Sequence, residues 1–93
     1  MTSVLRPTAR LRLARHARQR WDPVRERHVL LAPEGLLVLN HTGATIIELC
    51  DGRRTVDQIT AELRSRYDGA VDDEVREFLT RLVARRWLEH GDG

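Results

Sequence analysis

Everything with strand character in this 93-residue chain lies before His41, and everything with a helical period lies after it. From Ala17 the residues alternate, Ala17, Gln19 and Trp21 against Arg18, Arg20 and Asp22. That period of two predicts a first strand, and Pro23 confines it to an edge or an end. Arg27 to Ala32, rich in Val and Leu, predicts a second strand. Pro33-Glu34-Gly35 then reads as a strong turn, because Pro presets φ and Gly tolerates positive φ. Leu36 to Asn40 is the third strand, so a hairpin or a small three-stranded meander is expected.

The rest of the chain is punctuated as helices. Thr42 is a candidate cap for a first helix whose apolar side is Ile46, Ile47, Leu49 and Cys50. Asp51-Gly52 stops it. Thr55-Val56-Asp57-Gln58 is a capping box, with Thr55 over the N3 amide and Gln58 reaching back. The second helix presents Val56, Ile59, Leu63 and Tyr67 on one face and stops at Asp68-Gly69. Asp72 is the expected cap of a third helix, and Asp73 and Glu74 in its first turn suit the helix dipole. Its apolar positions are Val75, Phe78, Leu79, Leu82 and Val83, and Trp87-Leu88 is expected to close over the core. A run of strands followed by a run of helices argues for an α+β domain. Here that means a winged-helix-like one, a three-stranded antiparallel sheet followed by three helices.

Charge divides the chain differently. All 16 basic residues are Arg. Residues 1–27 hold eight of them against Asp22 and Glu26, while residues 28–93 hold eight against twelve acids. Residues 1–14, broken by Pro7 and without a sustained period, read as a flexible Arg-rich arm; residues 15–91 read as the folded domain. The single cysteine, Cys50, forbids an internal disulfide, and its apolar surroundings mark it as a small buried hydrophobe. That usage suits a reducing compartment. No apolar run is long enough to span a bilayer and no secretory leader is visible, so a soluble cytoplasmic protein is expected.

Catalytic chemistry is hard to find. His16, His28, His41 and His90 are scattered, with no Cys/His pair at ligand spacing. Asp72-Asp73-Glu74 is explained by its place at a helix start, and Asp51 and Asp57 by turns and caps. No glycine-rich phosphate loop occurs. The expectation is a non-enzyme without metal or cofactor. An exposed sheet edge, by contrast, is a template for an added strand, and peptides are recognised in this way. Leu36-Leu37-Val38-Leu39 is apolar on both faces. One face must meet the helices; the other is either buried as well or free to meet a guest side chain.

Several segments carry a resemblance. Trp21-Asp22, His28-Val29-Leu30-Leu31, Pro33-Glu34-Gly35, Leu39-Asn40, Thr42, Glu48-Leu49, Asp51-Gly52-Arg53-Arg54, Val71-Asp72-Asp73 and Glu77-Phe78-Leu79 stand in an order and spacing that resembles the PqqD family. The resemblance runs from about Arg15 to Leu88. The departure is Gly43, where the family more often has Ala; it should weaken the first turn of the helix and leave the groove untouched. The resemblance implies a peptide chaperone of pyrroloquinoline quinone (PQQ) biosynthesis, with the winged-helix-like recognition domain of ribosomal-peptide modifying systems. Such a chaperone binds the precursor peptide PqqA and presents it to PqqE, a radical S-adenosylmethionine enzyme. It also implies that the peptide pairs with the third strand and lies on the third helix, here Leu36, Leu37, Val38 and Leu39 with Val75, Phe78, Leu79 and Leu82.

Three other readings stand beside this one. A recognition domain for another modified peptide would use the same groove. A DNA-binding winged helix is suggested by the Arg-rich arm and the pI near 9.5, but Asp72, Asp73, Glu74 and Glu77 would repel phosphates at the start of the last helix. A homodimer could form through the sheet edge or by exchange of the N-terminal strand.

Overall fold

The computed structural model describes residues 5–68 and 72–91. Its elements are β1 (Arg10–Leu13), β2 (Arg18–Asp22), β3 (Arg27–Ala32), β4 (Gly35–Leu39), α1 (His41–Leu49), β5 (Asp51–Thr55), α2 (Val56–Arg66), α3 (Asp72–Ala84) and β6 (Leu88–His90). The expected meander is present as an antiparallel sheet in the order β2-β3-β4, and the three helices follow it. A second antiparallel sheet, β5-β1-β6, has no counterpart in the sequence reading.

The centre of that second sheet lies inside the segment expected to be a flexible arm, and residues 5–14 are instead part of the folded body. Leu11 is fully buried, and Leu5 and Ala14 are buried with it. Leu11 faces His90 and Leu13 faces Leu88 in β6, while Arg10 faces Thr55 in β5. Beyond the strand, the Asp57 amide donates to the Pro7 carbonyl at 3.0 Å and the Val56 amide to that of Ala9 at 2.9 Å. The alternation Arg10, Leu11, Arg12, Leu13 is only four residues long, and its partners lie some forty and eighty positions away. The arginines point outward: Arg12 binds Glu89 at 2.9 Å, and Arg10 Nε donates to the Arg53 carbonyl. Residues 1–4 lie outside the described residues.

The helices are placed by their caps. α1 is capped by Asn40, not Thr42: the Asn40 side-chain oxygen accepts the Gly43 amide at 2.7 Å. Asn is among the strongest N-caps, and its use ends β4 at Leu39. After α1 the chain extends again into β5, where the Asp51 carboxylate accepts the amides of Arg53 and Arg54 and bends the strand against β1. The capping box of α2 is present with both of its hydrogen bonds, at 3.1 and 2.8 Å. α2 ends at Arg66, with Tyr67 as its C-cap; Gly69, expected to stop it, lies outside the described residues. α3 begins at Asp72. Leu88 closes the core as expected, but from β6. One cluster joins Ile46, Ile47 and Leu49 of α1, Ile59 and Leu63 of α2, Leu79 and Leu82 of α3, and Leu11, Leu30 and Leu88 of the two sheets.

A core strand and a mobile arm respond differently to truncation of one side chain. Leu11→Ala is expected to lower stability by about 2–5 kcal/mol. Arg12→Ala, which removes an exposed ion pair, should cost about 1 kcal/mol or less. Urea denaturation of both variants checks this; equal small effects would return residues 10–13 to the role of a tail.

Candidate functional site

β4 is an edge strand. It pairs with β3 from Leu39↔His28 to Gly35↔Ala32, and among the described residues no strand lies on its other side. The two-residue loop Pro33-Glu34 closes the Ala32↔Gly35 pair, so alternate residues bond inward. That leaves the N–H and C=O groups of Leu36 and Val38 directed to the open side. The two residues are 41% and 43% exposed, whereas Leu39 is buried and Leu37 packs against the core. Such an apolar, unpaired edge is the type that proteins ordinarily blunt.

Beside this edge runs a groove of roughly 410 Å³ between β4, the start of α1 and one face of α3. Leu37, Val38 and Leu39 form one wall. Asn40, Thr42, Gly43 and Ile46 supply the α1 end, and Glu74, Val75, Phe78 and Arg81 supply the α3 side. The α3 residues follow the spacing i, i+1, i+4, i+7, which is one helical face. The groove's lining is mainly apolar, with Asn40, Thr42, Glu74 and Arg81 as the polar members.

Of the eight residues implied as peptide-binding, five line the groove: Leu37, Val38, Leu39, Val75 and Phe78. Leu36 is exposed on the open strand without lining it. Leu79 and Leu82 are not part of its lining and are buried in the core on the far side of the helix. They lie one position past Phe78 and Arg81, which turns them inward. The sequence reading missed Glu74, Arg81 and the α1 end. The signal was available in α3, where Glu74, Phe78 and Arg81 share one stripe. Gly43 belongs to the groove, contrary to expectation. A Cβ there would stand 3.4 Å from Phe78 Cζ and 3.1 Å from the capping oxygen of Asn40, so the bare Cα lets α1 approach α3.

A second, more polar cleft lies against α1, lined by His28, His41, Thr45, Glu48, Arg66 and Tyr67. The Thr45 and Tyr67 hydroxyls are 3.3 Å apart within it. It brings two of the scattered histidines together, yet among the described residues no group of three or more His, Cys, Asp or Glu is placed to hold a metal. No helix among them is long and apolar enough to cross a membrane. Burial, reinforced by the neighbouring Asp51 charge, pushes the Cys50 thiol up to about 12, which makes it inert as a nucleophile. Asp51 itself is held below the usual carboxylate range by the amides of Arg54 and Arg53, and Asp22 by the Arg25 guanidinium and amide. Both carboxylates serve turns.

The arrangement is therefore a small α+β domain whose open strand edge borders an apolar groove. The family profile described as coenzyme PQQ synthesis protein D (PqqD) matches residues 27–88. A PqqA binding protein of Klebsiella pneumoniae (strain 342) is 42% identical over 86 residues, covering 90% of this chain and 94% of that one. One from Methylococcus capsulatus is 36% identical, with 90% and 91% covered. The chain belongs to the PqqD family. Its fold is that of the PqqD truncation of Methylobacterium extorquens PqqCD, whose solution NMR structure superposes with a TM-score of 0.78 at 36% identity over 94% of this chain and 96% of that one. That protein is described as a functional, stand-alone recognition element for ribosomally synthesised and post-translationally modified peptides.

The buried thiol has a measurable consequence. An unfolded thiol ionises near 9, whereas the folded one resists ionisation until about 12. The folded state then holds a proton that the unfolded state has lost. The Cys50 contribution is level below pH 9 and falls as pH rises toward 12, by at most about 1.4 kcal/mol per unit. Urea denaturation at pH 8 and pH 10 should show a smaller drop for Cys50→Ala than for the parent chain; an identical drop would mean that the thiol is solvated.

Proposed function

We propose that this chain is a peptide carrier of PQQ biosynthesis in the cytoplasm, binding the precursor PqqA by strand addition at β4 and presenting it to the radical enzyme PqqE. The observation that carries the reading is the coincidence of an unpaired, apolar strand with a groove beside it that is walled by that strand and by α3. Strand addition supplies main-chain hydrogen bonds from Leu36 and Val38, and the groove supplies side-chain contacts. The relatives named as PqqA binding proteins support the choice of guest. Their agreement with the open edge favours a peptide over duplex DNA. Leu37, Val38, Leu39, Val75 and Phe78 are the contact residues on this reading, with Leu36 contributing backbone. Leu79 and Leu82 hold the helix in place. The carrier performs no bond chemistry; its work is to order a flexible segment before the enzyme meets it.

Two measurements test this. Titration of labelled protein with synthetic PqqA should shift backbone amide resonances around Leu36–Leu39, Val75 and Phe78, and shifts confined elsewhere would dismiss the groove. Val38→Pro removes an outward donor while sparing the inward ladder, and Pro is tolerated on edge strands. Affinity for PqqA should fall about tenfold or more with only a small loss of stability. Parallel loss of both would show that Val38 bonds inward. Sedimentation across a concentration series separately decides whether the same edge pairs two copies.

A further inference from the structure

The groove has an apolar middle and two opposite charges at its ends. Glu74 stands in the first turn of α3 and Arg81 in the last, and both line the groove. Of the other charges on α3, Asp72 pairs with Arg64 at 3.2 Å and Arg76 with Asp57 at 3.1 Å, and neither Asp73 nor Glu77 lines the groove. Glu74 and Arg81 make no ion pair among the described residues. The helix dipole accounts for an acid at the start and a base at the end, but not for both being turned toward the same groove as Phe78. Seven residues of helix separate the two charges by about 10.5 Å. Along a strand, residues on one face are two or four positions apart, about 7 or 13 Å, and side chains of ordinary length bridge the difference.

We propose that Glu74 and Arg81 read charge in the guest. The preferred peptide segment carries an acidic and a basic residue on its groove-facing side, two or four positions apart, the acid meeting Arg81 and the base meeting Glu74. This rests on the peptide-binding reading above and narrows it to one charge pattern. The main-chain bonds at β4 are sequence-blind, and Val75 and Phe78 accept any apolar side chain of suitable size. The end charges supply the discrimination that these lack, and they fix the direction in which the guest runs, since the reversed segment would put like charges together.

The test is a double-mutant cycle between carrier and guest, read by fluorescence anisotropy with synthetic PqqA. Each acidic residue of the peptide is replaced in turn by its amide and each basic residue by Gln, and each peptide is titrated into the parent chain, Arg81→Gln and Glu74→Gln. One acidic and one basic replacement, two or four positions apart, should each weaken binding to the parent about threefold. Against Arg81→Gln the acidic replacement should have no further effect, and against Glu74→Gln the basic one none. Independent, multiplying losses, or no sensitivity to any charge while PqqA still binds, would overturn the charge reading and leave the carrier intact. Failure of unaltered PqqA to bind the parent chain would remove both. Both side chains are exposed, so each variant should lose no more than the few degrees of melting temperature that a charge at a helix end contributes.

Discussion

The backbone ladder of β1 is the constraint on which the rest depends. One short strand pairs on one side with β5, which leads directly into α2, and on the other with β6, which follows α3. The residues before it also bond to the first turn of α2 through the Val56 and Asp57 amides. The two long helices are thus anchored at α2's beginning and α3's end by the same four residues. Leu11, fully buried at the centre of that sheet, adds the apolar contact that makes the ladder worth forming. It adds to the apolar contacts of Leu79 and Leu82 with α1, α2 and β3 that hold α3 beside β4 and give the groove its helix wall.

The groove exists because apolar residues are divided between two employments. On α3, Leu79 and Leu82 are wholly buried while Phe78 is left partly exposed beside the open strand. On β4, Leu37 and Leu39 face inward while Leu36 and Val38 remain exposed. Burying the remaining exposed part of the latter two, 41% and 43%, would have stabilised the fold by about 1 kcal/mol each, and an apolar open edge invites aggregation.

The meander, the three helices and the α2 capping box were legible because each is written in residues adjacent along the chain. The second sheet was not. Its three strands are three to five residues long and pair across most of the sequence, so none shows a period long enough to outweigh composition. Arg10 and Arg12 pulled residues 10–13 toward the reading of a solvated arm, although arginine on the outer face of a short strand gives the same composition. Asp51-Gly52 looked like a helix stop and is also the start of β5, because the turn built on the Asp51 carboxylate feeds straight into extended backbone. In the groove, strand residues were legible from their apolar run. On α3 the apolar pattern alone could not separate Phe78 from Leu79, since adjacent positions differ by about 100° around the helix and only the packing of α3 against α2 and β6 decides which face is inward.

Gly43 shows how closely cap, packing and groove are joined. Its amide is held by the Asn40 oxygen at 2.7 Å, and the space above its Cα is bounded by that oxygen and by Phe78. A methyl group there would gain about 1 kcal/mol of helix propensity. It would also press on the cap that starts α1 and narrow the approach to Phe78. The same absence of a side chain that weakens the helix in isolation therefore widens the groove at the end where β4 turns into α1. Local helix stability and the width of the groove are opposed at this position, and glycine gives up the first for the second.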